Sequence, residues 1–401
     1  MTLTTRTQVG IVGAGPAGLV LGRLLDLHGI ESVILEARDH AYVEQRVRAG
    51  VLEQGTADLL GEIGVGERMR REGLVHHGVE LRFGGRGHRI AFDELTGGRG
   101  ITVYGQQEVV KDLIAARREA GGELLFEAEA VSAHGIDSER PSLRFRHGGR
   151  ERELRCDVIA ACDGFHGVCR DALPPGALRL YERDYAFGWL GILARVAPSS
   201  DELIYCHHDR GFALHSMRSP ELTRLYLQCD AGEDLEAWPD ERIWDELELR
   251  FAREGWELGR GPIIEKLIAP VRSFVAEPMQ HGRMFLAGDA VHIVPPTGAK
   301  GLNLAVADVR VLADALARWF ATGDGAPLAA YSDTCLRRVW RKQYFSSWMT
   351  SMLHRQPDDR DGFQARVQRA QLENVCSSRA AATMLAENYV GLERPDQGTP
   401  A

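Results

Sequence analysis

Apolar positions along the chain change their spacing from region to region, and each spacing predicts a kind of element. Residues 8–36 read as strand, glycine turn, helix, a stop at Gly29 and a second strand ending at Leu35. That βαβ order calls for a parallel sheet with a right-handed crossover. From Tyr181 to Ala269 the texture becomes short alternating strands, notably Leu203 to His207, Gly211 to Arg218 and Thr223 to Cys229, with turn residues between them. An inserted, mostly antiparallel sheet is expected there. Met284 to Ala287 returns to a buried-strand pattern, and from Gly301 the spacing is helical almost to the end. Trp340, Tyr344, Phe345, Trp348 and Met352 form an aromatic and methionine stripe on one of these helices, suited to core packing or to a subunit interface.

Composition narrows the class of protein. A chain of 401 residues can bury ample core over two domains. Its net charge of −9 comes from a mixed-sign surface with no long run of lysine and arginine, so nucleic acid is excluded as the expected partner in favour of small molecules. Met1 to Gln8 holds no apolar signal stretch, and no later run is long enough to cross a bilayer, so no membrane association is expected. The seven cysteines are odd in number and form no C-x-x-C pair, which suits a reducing cytoplasm. The tail from Glu393 to Ala401, rich in proline, glycine and polar residues, is expected to fray. His207 and His208 are neighbours on a strand, point to opposite faces and cannot chelate together, so no metal is expected.

The first chemical signal is Gly13, Gly15 and Gly18, a G-x-G-x-x-G directly after the strand Val9 to Val12 and before a helix that Pro16 helps to start. The first glycine permits the tight turn, the second lets backbone approach a pyrophosphate, and the third lets helix and strand pack closely. Glu36, at the end of the second strand, can accept hydrogen bonds from an adenosine ribose. Dinucleotide binding is the expectation, with FAD and NAD(P) both open on this motif alone.

Two later segments repeat the theme of a strand ending in an acidic turn. Arg283–His292 (RMFLAGDAVH) carries Gly288 and Asp289 and is followed by Pro295–Asn303 (PPTGAKGLN) and a long amphipathic helix; Val158–Gly164 (VIAACDG) carries Asp163. A carboxylate at such a strand end suits a ribityl hydroxyl, and the amino end of the next helix supplies a positive dipole for a reduced, anionic flavin. In this order and spacing the three signals resemble the flavoprotein aromatic hydroxylases. Arg46–Gln54 (RVRAGVLEQ), Val103–Gln106 (VYGQ), Glu277–Gly282 (EPMQHG) and Asn388–Gly391 (NYVG) narrow the resemblance to the branch acting on 4-hydroxybenzoate, over nearly all of residues 7–391.

That resemblance implies an α/β fold: a Rossmann-like FAD-binding domain (1–180 and 273–330), an inserted mostly antiparallel β-sheet substrate domain (181–272) and a helical C-terminal region (331–401) at the interface of a homodimer. It implies FAD as cofactor, NADH or NADPH as co-substrate, and a flavin surrounded by Arg46, Arg48, Gln106, Asp163, Gly288, Asp289, Gly298, Lys300, Leu302 and Asn303. NADPH-preferring members carry an arginine after the ribose-binding glutamate, where this chain has Ala37 with Asp39 and Glu44 nearby. NADH is therefore expected to serve at least as well.

Strand alternation places Leu214, Ser216 and Arg218 on one face and Leu222, Arg224 and Tyr226 on a neighbouring one. An arginine fork with two hydroxyls suits a small carboxylate, although by pattern alone Arg218 is also an ordinary solvated charge. The resemblance implies the binding role. It matches Tyr205, Ser216, Arg218, Tyr226, Pro296 and Tyr389 to positions lining the substrate site, with Tyr205 meeting the phenol and Tyr389 and His76 passing its proton to solvent. A phenolate ring is far more electron-rich than a phenol, so deprotonation activates it toward an electrophilic oxygen donor. Besides hydroxylation of a related hydroxylated aromatic acid, a flavoprotein oxidase or dehydrogenase and a flavin-free binding protein of the same fold are the competing readings. The phenol-facing tyrosines oppose the first, and the intact Gly288-Asp289 and Asp163-Gly164 turns oppose the second.

Overall fold

The computed structural model describes residues 3–46 and 50–391; Arg48 and the tail from 393 onward lie outside the described residues. Two sheets organise the chain. In the first, strands run in the order Gln280–His281, Met284–Leu286, Val158–Ala161, Val9–Val12, Ser32–Leu35, Glu123–Leu125. All pair in parallel except the Gln280–His281 edge. The inner strands Val9–Val12, Ser32–Leu35, Val158–Ala161 and Met284–Leu286 are buried on both faces, as continuous apolar runs require. The helices Pro16–Leu27 and Gly301–Thr322 pack against each other over this sheet.

The second sheet has eight strands, ordered His292–Ile293, Ile263–Glu277, Arg179–Ala194, Leu222–Asp230, Ala213–Ser219, Leu203–His207, Gly78–Phe83, Arg86–Ala91. It is antiparallel apart from the Leu203–His207 and Gly78–Phe83 pair. Residues 78–91 thus join the sheet whose other strands come from far later in the chain, a pairing that no local pattern signals. Alternation splits its faces. Leu190, Ile192, Ile204, Leu225 and Leu227 pack under the helix Asp240–Phe251, while Trp189, Tyr205, Phe212 and Leu214 face the C-terminal helices Tyr331–Leu353 and Arg379–Val390.

The aromatic stripe is buried in part and exposed in part. Phe345 and Met352 are buried in this second core, whereas Trp340 and Tyr344 are 41% and 60% exposed. No described helix is long and apolar enough to cross a membrane. The seven cysteines are unpaired, and all but Cys376 are buried.

Candidate active site

Three strand ends meet on one edge of the parallel sheet. Register sets Val12 beside Ala161 and Ala161 beside Leu286, so the Gly13–Gly18 turn, Asp163-Gly164 and Gly288-Asp289 leave the sheet side by side. Gly13 has φ 101°, and a Cβ there would stand 2.4 Å from the Cys162 carbonyl oxygen; one on Gly18 would stand 2.0 Å from the Gly13 carbonyl oxygen. Neither position admits a side chain. At Gly15 nothing lies within 4 Å of such a Cβ, which leaves the start of the helix Pro16–Leu27 open to a ligand. Glu36, expected to meet an adenosine ribose, accepts from the backbone amides of Ala14 and Arg38, both at 2.8 Å, and so braces the glycine turn.

Asp163 accepts from the Cys169 amide at 2.9 Å through Oδ2, while its buried Oδ1 has no partner among the described residues. Gly288 sits at φ 63° and donates its N–H to Asp308 Oδ2 at 3.1 Å; His292 Nε2 lies 2.6 Å from the same oxygen. Burial pulls the His292 pKa down, but the Asp308 carboxylate overrides it and holds the imidazole above its ordinary value. Asp289 is half-buried on that turn. The helix Gly301–Thr322 starts with no side-chain cap and no acidic residue in its first turn, so its positive end is available to an anion. Leu302 is half-buried in that first turn, and Gly298 packs so closely that a Cβ would meet Ser346 Oγ at 2.6 Å. Asn303 turns its side chain inward, accepting from the Glu53 amide at 2.8 Å and donating to the carbonyls of Val51 and Ala299. Gln106 opens the helix Gln106–Glu119, and Arg46 ends the short helix His40–Gln45 with its guanidinium over Tyr42. Open amides, an unpartnered carboxylate oxygen and a free helix start fit a flavin dinucleotide.

On the second sheet, cross-strand pairing puts Tyr205 opposite Leu214 and Leu214 opposite Tyr226. Arg218 lies at the end of this wall. Its Nη1 donates to Ser216 Oγ at 3.0 Å and to the Met217 carbonyl at 2.8 Å, and Nη2 reaches the Tyr226 hydroxyl at 3.4 Å. Its Nε is buried without a partner, and no carboxylate pairs with it among the described residues. Burial lowers its pKa, with the nearby Arg224 opposing the charge as well. The neighbouring Arg224 differs, since it pairs with Glu265 at 3.0 Å.

At the other end, the hydroxyls of Tyr205 and Tyr389 share a hydrogen bond although the residues lie 184 positions apart. Both are buried, and burial raises both phenol pKa values. Lys300 donates to the Tyr389 carbonyl at 2.7 Å and pairs at 2.7 Å with Glu53, which also receives Lys342 at 2.8 Å. Burial lowers the Lys300 pKa to about 8 despite the Glu53 charge, with Lys342 adding to the shift. Lys300 thus stands behind Tyr389. His76 is buried on its own strand, burial brings its pKa down to about 4, and neither ring nitrogen has a partner among the described residues. No direct hydrogen bond joins it to Tyr389. Pro296 is exposed at the start of the Pro296–Gly298 turn, which leads into Ala299 at φ 54°.

Comparison with known proteins identifies the family. The FAD binding domain family matches residues 6–346. The p-hydroxybenzoate hydroxylase of Acinetobacter baylyi is 48% identical over 390 residues, spanning 97% of this chain and 96% of that protein. The chain belongs to the p-hydroxybenzoate hydroxylase family. It is an FAD-dependent aromatic monooxygenase that draws electrons from NAD(P)H. A 3-(3-hydroxy-phenyl)propionate/3-hydroxycinnamic acid hydroxylase of Burkholderia cenocepacia is 26% identical over 337 residues, which span 78% of this hydroxylase and 57% of that longer protein. The p-nitrophenol 4-monooxygenase of Pseudomonas putida superposes with a TM-score of 0.84 at 18% identity, covering 98% of this hydroxylase and 100% of that chain, a likeness of fold.

Several groups of the hydroxylase's site escape sequence reasoning. Glu53 falls inside the Arg46–Gln54 run, yet only the fold reveals it as the anion between Lys300 and Lys342. Lys342 is a lone cation on the apolar side of its helix, a signal that it must be paired inside. Phe92 stacks on Tyr389 with centroids 5.0 Å apart, and Asp308 and His292 brace Gly288.

Proposed function

We propose that this hydroxylase adds one oxygen atom of O2 to 4-hydroxybenzoate at the 3-position, giving 3,4-dihydroxybenzoate, while NAD(P)H supplies two electrons and the second oxygen leaves as water. The observation that carries this reading is the wall with two chemically distinct ends: an arginine without a carboxylate partner at one, and a buried tyrosine pair at the other. Bound FAD supplies the redox chemistry that activates O2. The chain's own groups bind and deprotonate the substrate.

Arg218 takes the carboxylate through its fork, with the hydroxyls of Ser216 and Tyr226 setting the angle. Tyr205 hydrogen-bonds the phenol oxygen, and the proton leaves through Tyr389 toward His76, whose neutral ring can take it at one nitrogen while releasing one from the other to solvent. Pro296 closes the site near the ring. Lys300 holds the Tyr389 backbone and adds positive charge beside the phenolate. Gly13, Gly15, Gly18, Glu36, Arg46, Gln106, Asp163, Gly288, Asp289, Gly298, Leu302 and Asn303 form the FAD cradle. A homodimer through the Trp340 and Tyr344 face and a cytoplasmic location complete the reading, the latter supported by unpaired cysteines. A dehydrogenase or oxidase would have no use for the tyrosine pair.

The test is reduced-nicotinamide oxidation against a panel of hydroxybenzoates with products identified. The reading predicts 3,4-dihydroxybenzoate from 4-hydroxybenzoate and little turnover of isomers lacking the para hydroxyl. Absence of that product sinks it.

A further inference from the structure

The aromatic wall behind the two ends of the site closes on one imidazole. His354 caps the helix Tyr331–Leu353 and is fully buried. Its ring stacks on Phe187, with centroids 4.6 Å apart and 11° between planes, and on Phe212, at 4.3 Å and 29°. Trp189 Nε1, which can only donate, lies 2.7 Å from His354 Nε2. Nε2 is therefore the bare acceptor, and the ring proton sits on Nδ1, which donates to the Thr350 carbonyl at 3.0 Å. A proton on Nε2 would confront the indole N–H. The ring is held by stacking on its faces and by hydrogen bonds at both nitrogens, so neither its tilt nor its tautomer is free.

From this bracket the wall extends both ways. Trp189 packs on Tyr226 with centroids 4.9 Å apart, and Phe212 packs on Tyr205 at 6.2 Å. The same imidazole therefore touches the neighbours of the carboxylate end and of the phenol end. We propose that His354 is a positioning residue that sets the distance between Tyr205 and Tyr226, and thereby the length of para-substituted phenol that the hydroxylase accepts. The proposal rests on the assignment of those two tyrosines to opposite ends of the substrate. Nothing in the proposal requires His354 to touch the substrate.

The experiment compares His354→Phe, which keeps a stacked ring but removes the acceptor, with His354→Gln, which keeps an acceptor oxygen. KM and kcat of the FAD-loaded enzymes are measured for 4-hydroxybenzoate and for 4-hydroxyphenylacetate, which is longer by one methylene. His354→Phe is expected to raise KM for 4-hydroxybenzoate about ten-fold or more, because an indole without its acceptor is free to shift and Tyr226, packed on it, shifts with it, while kcat changes much less. Its preference for the shorter acid should shrink by a similar factor, and His354→Gln should recover most of both. An unchanged KM and preference in His354→Phe, or a glutamine variant no better than the phenylalanine one, overturns the proposal. Should His354→Phe fail to fold, Trp189→Phe removes the donor instead: a raised KM with the same loss of preference supports the bracket, and wild-type behaviour overturns it. A wild-type enzyme that does not convert 4-hydroxybenzoate overturns the underlying assignment, a failure visible before any variant is made.

Discussion

Replacing Arg218 with alanine should weaken 4-hydroxybenzoate binding far more than it disturbs FAD or the fold. The guanidinium is held by Ser216, Met217 and Tyr226, all neutral acceptors, and its Nε has no partner. A substrate carboxylate would supply the missing charge through two parallel hydrogen bonds. Truncating one partner of a buried charged pair costs about 2–5 kcal/mol. Because Arg218 is only partly buried by exposed area, solvent screening places the loss near the lower end, about 2–3 kcal/mol, or roughly 30- to 150-fold in Kd. Arg218→Lys keeps the charge without the fork and should fall between. Arg218→Met should leave the ligand-free thermal midpoint unchanged or higher, because a desolvated cation with no ion-pair partner contributes no stability. The assay is a titration of each FAD-loaded variant with 4-hydroxybenzoate, followed through the flavin absorbance, with FAD retention measured separately. A Kd within about two-fold of wild type, or FAD affinity falling in step with substrate affinity, would refute the carboxylate role.

Tyr205→Phe should keep fold and flavin but release much of the consumed NAD(P)H as hydrogen peroxide, since the phenol would stay protonated; hydroxylated product still equal to NAD(P)H consumed, at an unchanged rate, would remove the activation role. NADH should serve at least as well as NADPH. Ala37 follows Glu36, Asp39 caps the Tyr42 amide at 2.8 Å, and Glu44 pairs with His40 at 2.9 Å, so a 2′-phosphate selected by this segment would meet two carboxylates; a strong NADPH preference at matched ionic strength would show that Arg38 and Arg46, which both lie over Tyr42, govern selection instead. Stability should fall in mild acid. Burial lowers the pKa values of His76, His215 and His354 to about 4, 3 and 3. The unfolded chain binds these protons near pH 6.5 and the folded one does not, so the contribution is complete above that value and is lost as pH falls toward about 3. Near pH 5 the three sites imply a slope of about 4 kcal/mol per pH unit, readable by urea unfolding, and a flat profile between pH 6.5 and 5 would contradict their neutral burial.

The sequence by itself determined what depends on neighbours along the chain. The glycine turn was legible because Gly13, Gly15 and Gly18 answer a local demand on φ and on close approach, and the substrate strands were legible because alternation sorts Leu214 and Ser216 from Ala213 and His215 whatever they pair with. The Gly288-Asp289 and Asp163-Gly164 turns could be seen singly, while their meeting at one sheet edge rests on parallel register. Only the tertiary structure decided which charges are paired. Glu53 and Lys342 lie 289 positions apart and form an ion pair, whereas Arg218, an ordinary surface cation by pattern, has none among the described residues. Trp189 and His354 lock each other's rings from separate domains of sequence, and residues 78–91 join strands more than a hundred positions later. Periodicity reports the face a side chain occupies, but a partner is chosen by register and packing between distant segments, and those are properties of the closed fold alone.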